Sequence, residues 1–454
     1  MIVIKFGGTS VGDADRVANA IDIVAERQHL RPVVVVSALA GVTDDLVAAS
    51  KAACAQNFDQ AIEIVRRVRA RHEDVALRLV QHKHDFLESF IKQLDRQIDE
   101  IRRILDGIAL VGEITNRGHD KVVSIGERLS SVLFAYTTMM RALPGELVSA
   151  EEVIWTNEHF GAATPDMVRT RQAAQRVLVP LLERGRIPVM GGFIGRTAAG
   201  ATTTLGRNGS DYSAAVVGAA IGAQEVQIWT DVDGLLTCDP RLVPGARVID
   251  LLSFEEAAEL AQFGAKLHPR TLEPAVEANV PVRVLNTHNP SSPGTLITRS
   301  GVEIAAGPRS IARKRGVTMV HVTSNRMLGT HGFLADFFSV FAELAISVDL
   351  IATSEVSVTV TVDEKHDIEE LRRRLAEMAT VELYDAQCII AIVGQHVMSD
   401  ARVGARVLEA LGGMPVKMMS LGRSGLNLSI VVDDANADAA VKAVHQALFE
   451  AVPA

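Results

Sequence analysis

The segment TTTLGRNGSDYSAA, residues 202–215, brings a cation, a carboxylate and flexible backbone together in one turn. Gly206 and Gly209 permit backbone angles that other residues avoid, and Asn208 tolerates left-handed ones. Arg207 supplies a planar charged fork whose geometry suits a carboxylate. The turn is therefore predicted to bind an anionic substrate group. A capping turn with a solvated arginine is the plainer alternative.

An Ala-rich helix pattern follows this turn. Ser210 and Asp211 belong to residue types that cap helix N-termini, and we expect them to cap this helix. The N-terminus of a helix is also an anion-binding site, because its first N–H groups lack partners within the helix. In addition, Asp211 could order a nearby lysine.

A second turn of interest, KFGGTS at residues 5–10, follows the first apolar run. Gly7 and Gly8 allow backbone N–H groups to approach an anion closely, and Lys5 adds a point charge. The lysine precedes the glycines, so this is not the Walker arrangement. Phosphate binding and a tight turn with a surface lysine are both consistent with this segment alone.

Three further segments carry charged groups. WTDVDG at 229–234 places two acids and a glycine after a strand, which suits contact with a nucleotide or an Asx-turn. Lys266 in FGAKLHP could neutralise a transferring phosphoryl group or lie in solvent. Glu127 lies at a glycine-marked helix start, where a carboxylate interacts favourably with the helix dipole.

The elements that position these turns can be located from apolar runs. Residues 2–6 and 31–38 are continuous apolar runs, typical of strands buried on both faces. Residues 42–106 contain no Gly or Pro and predict long amphipathic helices, the first of them capped by Thr43. Strands that alternate with helices predict an α/β fold with a mostly parallel sheet. The turns at the carboxyl ends of its strands can therefore converge on one site.

The elements become shorter after residue 300. Residues 317–385 predict a complete βαββαβ unit, and residues 386–454 predict a second one that lacks its last strand. Residues 309–315 could supply that strand, in which case the first unit is inserted within the second. We predict three domains: 1–298, 317–385, and 303–316 together with 386–454.

Composition excludes several function classes. The chain has 454 residues and a net charge of −9, which makes a nucleic-acid partner unfavourable. No apolar run approaches a membrane span, and the N-terminal residues lack the pattern of a signal peptide. The three cysteines are scattered and suggest neither a disulfide framework nor a metal site. We therefore expect a cytoplasmic protein without a membrane partner.

Taken together, these motifs resemble the aspartate kinase family of the amino-acid kinase superfamily. KFGGTSV, TTTLGRNGSDYSAA, WTDVDGLLTCDPR and FGAKLHP occur in that order, and GFLADFF…ISVDLIATSEVSV resembles the first of the paired ACT domains of lysine-sensitive, single-function members. The resemblance runs from about residue 2 to 450. It implies a carbamate-kinase-like αβα sandwich followed by two ferredoxin-like ACT (βαββαβ) domains.

The resemblance also implies the reaction. The γ-phosphate of ATP would be transferred to the β-carboxylate of L-aspartate, which gives 4-phospho-L-aspartate for lysine, threonine and methionine biosynthesis. Mg²⁺ would bridge the phosphates and be held by ATP and water, without a protein metal site.

Individual residues take their roles from the same resemblance. Lys5, Asp211 and Lys266 would be catalytic, with Asp211 organising Lys5. The substrate would be bound by Thr43, Glu127, Phe193, Arg207, Gly209 and Ser210. ATP would be bound by Lys5, Phe6, Gly7, Gly8, Ser37, Thr230, Asp231, Leu236, Arg241, Lys266 and Leu267.

ACT domains bind amino acids and pair across subunits, which implies an allosteric effector and a homodimer or larger homo-oligomer. The effector pocket would use Met327, Thr330, Phe333, Leu334, Ser347, Val348, Asp349, Ser354 and Glu355. Asp349 and Glu355 could each bind an ammonium group, and lysine has two such groups. The resemblance therefore favours inhibition by L-lysine, although these acids could instead form hydrogen bonds at an interface.

Two other functions are compatible with parts of the sequence. One is another kinase of the same superfamily, such as a glutamate kinase, but Arg207 with Glu127 suits a free amino acid better than an acetylated or nucleotide substrate. The other is a non-catalytic amino-acid-sensing regulator. The joint presence of Lys5, Arg207, Asp211 and Lys266 argues against it.

Overall fold

The computed structural model describes residues 1–80, 84–263, 269–299, 306–324, 327, 331–422 and 425–450. These residues form two compact units. The first contains Met1–Leu235, Asp250–Phe254 and residues 269–299. The second contains Leu236–Ile249, residues 255–263 and the described residues from 306 onward.

A mostly parallel sheet forms the centre of the first unit. Its strands, with those of a small hairpin, are β1 (Ile2–Phe6), β2 (Pro32–Val36), β3 (Gly145–Leu147), β4 (Ile187–Gly191), β5 (Ile194–Arg196), β6 (Thr202–Thr204), β7 (Val226–Thr230), β8 (Leu251–Ser253), β9 (Val282–Asn286) and β10 (Thr295–Thr298). Within the described ranges, eight strands form the sheet in the order β3-β4-β2-β1-β7-β9-β10-β8. Neighbours are parallel except β9 and β10, and β5 pairs with β6 separately. The predicted α/β arrangement is confirmed.

Helices pack against this sheet and against one another. They are α1 (Ala14–Glu26), α2 (Val42–Cys54), α3 (Phe58–Val80), α4 (His84–Val111), α5 (Asn116–Val123), α6 (Ile125–Met140), α7 (Ala150–Val153), α8 (Met167–Val177), α9 (Val179–Glu183), α10 (Gly209–Ile221) and α12 (Pro269–Glu277). Helix α11 (Phe254–Gln262) belongs, apart from its first residue, to the second unit. The long helices predicted between residues 42 and 106 are α2, α3 and α4. None of the described helices is both long and apolar enough to span a membrane.

The carboxyl ends of three adjacent strands determine where the first unit can bind a ligand. β1 and β2 are completely buried, as their apolar sequences predict. Because β4, β2 and β1 are parallel neighbours, the residues that follow Phe6, Val36 and Gly191 emerge at the same edge of the sheet. Ligands of parallel sheets bind at this edge.

Two predicted helix caps are wrong. Helix α2 already begins at Val42 with Gly41 as its N-cap, so Thr43 lies inside the first turn. Helix α10 has Asn208 as its N-cap with φ +55°, and no side chain caps it. Ser210 and Asp211 are therefore residues of the first turn. In both helices a residue with positive φ forms the entry, and the side chains of the first turn stay free for other contacts.

The second unit contains two interleaved βαββαβ arrangements. Its strands and helices are β11 (Ser310–Thr323), α13 (Phe333–Glu343), β12 (Val348–Thr353), β13 (Ser357–Asp363), α14 (Ile368–Leu375), β14 (Thr380–Val393), α15 (Ala401–Leu411), β15 (Met418–Leu421), β16 (Asn427–Asp433) and α16 (Ala437–His445), with a π-helical turn at Gln446–Glu450. Among the described residues the strand order is β12-β13-β11-β14-β16-β15.

The long strand β11 belongs to both arrangements. Its first half, Ser310–Lys314, pairs with Val393–Ile389 of β14, and its second half pairs with β13 and with the first half of β14. This pairing places Ser310–Lys314 beside the strand that begins the second βαββαβ repeat, where the missing strand was predicted. The three predicted domain boundaries stay predictions. The sequence pattern had suggested separate strands, but β11 and β14 are continuous. The register shifts after Lys314, where Gly316 has φ +69°.

Candidate active site

A cavity of about 630 Å³ lies beside the carboxyl ends of β1, β2 and β4. Among its lining residues are the predicted Lys5, Gly8, Ser37, Thr43, Glu127, Phe193, Arg207, Gly209, Ser210 and Asp211. The lining also includes Ala38–Gly41, Asp44, His119, Gly161, Thr204, Gly206 and Asn208, which were not predicted to bind a ligand. The structure therefore brings together the N-terminal glycine turn and the Arg207 turn, which are 200 residues apart in the sequence.

Lys5 and Asp211 form an enclosed ion pair in this cavity. Lys5 Nζ lies 2.5 Å from Asp211 Oδ1, and the two side chains are 9% and 11% exposed. Lys5 is on β1, whose backbone is fixed by β2 and β7 on either side, and Asp211 is in the first turn of α10. The predicted contact is present, and it holds the ammonium group at the cavity wall.

Close packing at two glycines shapes the wall next to Asp211. A Cβ atom on Gly209 would lie 2.4 Å from Cδ2 of Phe193, and one on Gly192 would lie 2.6 Å from Cβ of Ser210. Both distances are too short for any other residue. Phe193 itself has φ +65°, and its N–H donates to Ser213 Oγ at 2.8 Å. The strand end after β4 and the start of α10 are thereby locked together.

Arg207 lies at the mouth of the cavity. Its side chain is exposed, whereas Gly209, Ser210 and Asp211, which follow it, are buried. The left-handed Asn208 makes this change of direction possible. A guanidinium group in this position can reach a ligand that enters from solvent, which suits recognition of a carboxylate.

Glu127, in the first turn of α6, is a buried acid of the cavity wall and is 5% exposed. Burial raises the pKa of its carboxyl group to about 8, although backbone N–H groups of Ala38 and Glu127 and the charge of Lys5 act in the opposite direction. Among the described residues, Oε2 has no hydrogen-bond partner. The group is thus neutral near pH 7 when the cavity contains no ligand, and a cation would favour its ionised form.

Comparison with known proteins agrees with this geometry. Residues 1–286 match the amino acid kinase family, and residues 320–373 and 390–448 match an ACT domain. "Aspartokinase 3, chloroplastic" of Arabidopsis thaliana is 39% identical over 99% of this chain and 81% of its own length. The chain belongs to the aspartokinase family.

Two solved structures of Escherichia coli aspartokinase III extend the similarity over the whole chain. The structure in complex with lysine and aspartate, called the T-state, has a TM-score of 0.83, is 35% identical and matches over 99% of both chains. The structure in complex with aspartate and ADP, called the R-state, has a TM-score of 0.84 at the same identity and covers 99% of this chain and 100% of that one. An amino-acid kinase domain followed by ACT domains is therefore the architecture of this aspartokinase.

The residues predicted to bind nucleotide are distributed over both units. Phe6 is fully buried and stacks on Phe134, so only its backbone can contact a ligand. Gly7 follows β1, and its N–H donates to the carbonyl oxygen of Trp229 at 3.2 Å. At the end of β7, the Thr230 hydroxyl donates to Asp231 at 3.1 Å.

Other predicted nucleotide residues belong to the second unit or lie outside the described ranges. Leu236 and Arg241 belong to the second unit. Arg241 is 88% exposed and pairs with Asp239, whose pKa it lowers through the hydrogen bond. Lys266 and Leu267 lie outside the described residues. The roles of these four residues stay predictions.

The residues predicted to bind an effector lie in the second unit. Those in the described ranges are Phe333 and Leu334 at the start of α13, Ser347, Val348 and Asp349 at the start of β12, and Ser354 and Glu355 in the turn before β13. Met327 is half-buried against the apolar core beneath α13, and Thr330 lies outside the described residues.

One of these effector residues already has a partner of opposite charge. Both carboxylate oxygens of Asp349 accept hydrogen bonds from Lys314 Nζ, at 2.8 and 2.7 Å, and each side chain is 24% exposed. Lys314 was not identified from the sequence. Its signal was weak, because it is one of three consecutive basic residues, Arg313–Arg315, in a strand.

Asp120 and His119 were also missed. Asp120 is fully buried in α5. Its carboxylate accepts hydrogen bonds from Gly161 and Thr204 and so connects two segments of the cavity wall. The available signal was an acid on the apolar face of a helix, since Asp120 precedes the buried Val123 by three positions and Glu127 by seven.

A second cavity of about 500 Å³ lies near the amino ends of β2 and β4, where parallel sheets do not usually bind ligands. Gln28, His29, Arg31 and Arg186 line it.

Proposed function

We propose that the chain phosphorylates L-aspartate with ATP and gives 4-phospho-L-aspartate and ADP. A β-carboxylate oxygen of aspartate forms a bond to the γ-phosphorus, and the bond from that phosphorus to the β,γ-bridging oxygen breaks. Because the attacking carboxylate is already ionised, the step needs no general base. It needs positioning and neutralisation of charge. The observation that carries the proposal is the enclosed Lys5–Asp211 pair in a cavity that also contains Arg207 and the unpartnered carboxyl oxygen of Glu127.

The acceptor side of the cavity suits a zwitterionic amino acid. The Arg207 guanidinium would bind the α-carboxylate of aspartate, and Glu127 would bind its ammonium group, which lowers the pKa of Glu127 when the ligand enters. Thr43 and Ser210 would contact the remaining ligand oxygens, while Phe193 and Gly209 shape the wall. That Escherichia coli aspartokinase III was solved in complex with aspartate supports this substrate.

The donor side would bind ATP at the first glycine turn. Gly8 and Ser37 would contact the phosphates through the backbone and the hydroxyl group, and Lys5 would neutralise the charge that develops on the transferring group. The N–H of Gly7 already donates to Trp229, so Gly7 would contribute by shaping the turn. Thr230 and Asp231, at the end of β7, would also contact the nucleotide. For Leu236, Arg241, Lys266 and Leu267, nucleotide binding is proposed from the family resemblance alone. The structure of the related enzyme in complex with ADP supports nucleotide binding.

Magnesium would enter as part of the MgATP substrate. The described residues contain no group of three or more His, Cys, Asp or Glu side chains that could hold a metal ion. Phosphate oxygens and water can supply the octahedral coordination that Mg²⁺ requires.

The second unit would bind L-lysine as an inhibitor. Asp349 and Glu355 provide two carboxylates for the two ammonium groups of lysine, and the related T-state structure contains lysine. Lysine would stabilise a less active state by binding it more tightly than the active one. The enzyme would act as a homodimer or larger oligomer through its ACT domains, and its product would feed lysine, threonine and methionine biosynthesis.

The decisive experiment traps the acyl phosphate as a hydroxamate. Purified protein is incubated with L-aspartate, MgATP and hydroxylamine, with and without L-lysine. In parallel reactions, L-glutamate replaces aspartate as the substrate, or L-threonine replaces lysine as the effector. Hydroxamate from aspartate that falls with lysine supports both proposals. Hydroxamate that falls with threonine instead contradicts the proposed effector. No hydroxamate from aspartate, in protein that binds ATP, contradicts the proposed reaction.

A further inference from the structure

Asp120 connects two segments of the cavity wall without lining the cavity itself. Its Oδ2 accepts hydrogen bonds from the N–H of Gly161 and the N–H of Thr204, both at 2.9 Å. Its Oδ1 accepts from the Thr204 hydroxyl at 2.7 Å. The residue is fully buried, and Gly161 and Thr204 both line the cavity. A buried carboxylate with three donors directed at it makes strong hydrogen bonds.

The two segments lead directly to the Arg207 turn. Thr204 is the last residue of β6, three positions before Arg207. The carbonyl oxygen of Gly161 lies 3.3 Å from the position that a Cβ atom on Gly206 would occupy, so the loop packs against the turn. The N–H of Leu205 donates to Phe193 at 2.9 Å, which fixes the other side. Asp120 therefore helps to set the position of the backbone from which the exposed Arg207 side chain extends.

We propose that Asp120 is a positioning residue for the phosphoryl acceptor. It holds the Gly161 loop and the end of β6 so that Arg207 meets the α-carboxylate of the substrate. This inference rests on the proposed function, because it takes the acceptor to be an amino acid bound by Arg207. The nucleotide turn at Gly7 and Gly8 follows another strand, β1, and has no contact with Asp120 among the hydrogen bonds of the described residues. Loss of the Asp120 carboxylate should therefore raise the KM for aspartate more than the KM for MgATP.

The experiment compares Asp120→Ala with Asp120→Asn in the hydroxamate assay. Alanine removes all three hydrogen bonds. Asparagine can preserve them, because its Oδ1 can accept from both backbone N–H groups while its Nδ2 donates to the Thr204 hydroxyl, which reverses one bond. For Asp120→Ala we expect the KM for aspartate to rise about tenfold or more, with the KM for MgATP unchanged within about twofold. Asp120→Asn should restore the KM for aspartate to within about threefold of the original value.

Asp166→Ala is the matched control. Asp166 also uses its carboxylate to accept two backbone N–H groups, those of Val168 and Arg169, but it is an N-cap of α8 and does not line the cavity. This variant should lose some stability, but its kcat, its KM for aspartate and its KM for MgATP should be unchanged. If Asp120→Ala does not fold, Thr204→Val, which removes only the hydroxyl bond, should still raise the KM for aspartate selectively.

Several outcomes would overturn the inference. One is a folded Asp120→Ala variant whose KM for aspartate is unchanged. Another is an equal rise in the KM for aspartate and the KM for MgATP. A third is an Asp120→Asn variant that does not restore the KM for aspartate. An unchanged KM in Thr204→Val would count against it when alanine does not fold. The proposed function fails separately, since in that case the unaltered protein itself forms no hydroxamate from aspartate.

Discussion

The cavity of the first unit and the effector region of the second unit each contain a lysine–aspartate ion pair, in different surroundings. Lys5 and Asp211 are about one-tenth exposed, and a second acid next to them, Glu127, has a carboxyl oxygen without a partner in the described structure. Lys314 and Asp349 are about one-quarter exposed, and both oxygens of Asp349 already accept from the same ammonium group.

The two sites differ in whether their charged groups are available to a ligand. Electrostatic interactions are stronger in the enclosed cavity, because water screens them less there. Lys5 and Asp211 hold each other in place before substrate arrives, and phosphoryl transfer depends on such prior positioning of charge. In the effector region, a ligand ammonium must first replace one that belongs to the chain. The four predictions below test this difference.

The largest effect is expected from Lys5→Ala. The substitution removes the ammonium group at the phosphate turn, and kcat should fall by about 10³-fold. Lysine binding, measured by calorimetry, should be unchanged, since Lys5 is in the first unit. Lys51→Ala, at an exposed position of α2, is the control and should keep its activity. Turnover within tenfold of the original value would show that the enclosed pair is structural only.

Glu127→Gln should change how stability depends on pH. The carboxyl group of Glu127 has a pKa of about 8 in the folded state and about 4.5 in the unfolded chain. Between these values the unfolded chain has released the proton while the folded protein retains it. The unfolded state therefore binds fewer protons, and stability falls as pH rises through this window.

Glutamine removes this dependence. Each unit of pKa shift corresponds to about 1.4 kcal/mol, so the variant should be more stable than the parent at pH 8 by on the order of 4 kcal/mol, with a smaller difference at pH 5. Urea unfolding at both pH values measures this. Glu152→Gln, at an exposed position of α7, serves as the control. Parallel pH profiles for parent and Glu127→Gln would mean that the cavity does not hold a neutral Glu127.

Much of the fold could be predicted because its signals are local. The buried strands β1 and β2 are continuous apolar runs, and the strand pairing of residues 309–315 followed from counting elements in two repeated units. The continuity of β11 and β14 could not be seen in the same way. It depends on a shift in pairing near Gly316, and pairing is a property of the sheet rather than of one segment.

In the candidate site, too, some contacts could be predicted from the sequence and others could not. The Lys5–Asp211 contact was expected from the resemblance of the two turns to motifs of the aspartate kinase family. Asp120 was missed because its partner Thr204 is 84 residues away, and an acid on the apolar face of a helix does not by itself indicate which groups it contacts. The capping roles of Thr43 and Ser210 were wrong for a related reason. Residue type favours a cap, but the positive φ of Gly41 and Asn208 determined where each helix begins.

Arg207→Ala should raise the KM for aspartate by about 30-fold, since a charge-assisted hydrogen bond contributes about 2 kcal/mol. The KM for MgATP and the melting temperature should stay the same, because the side chain is exposed. Arg207→Lys should restore little, since an ammonium cannot reproduce the bidentate geometry. Arg241→Ala offers a contrast. It should leave the KM for aspartate unchanged, and an equal rise in both variants would contradict a separate acceptor side.

The smallest effect, and the sharpest test of the comparison, is expected from Lys314→Met. The variant leaves Asp349 unpaired, so that a ligand ammonium no longer competes with Lys314. Partly exposed ion pairs contribute up to about 1 kcal/mol, and the lysine concentration that gives half-inhibition should therefore fall about threefold. Asp349→Asn should raise the same concentration, which separates competition from a general disturbance of the region. Arg315→Met removes a neighbouring cation that pairs with Asp434 instead, and it should leave inhibition unchanged. If Lys314→Met weakens inhibition, the ammonium of Lys314 contributes to binding of the effector, and the two ion pairs differ in exposure but not in readiness for a ligand.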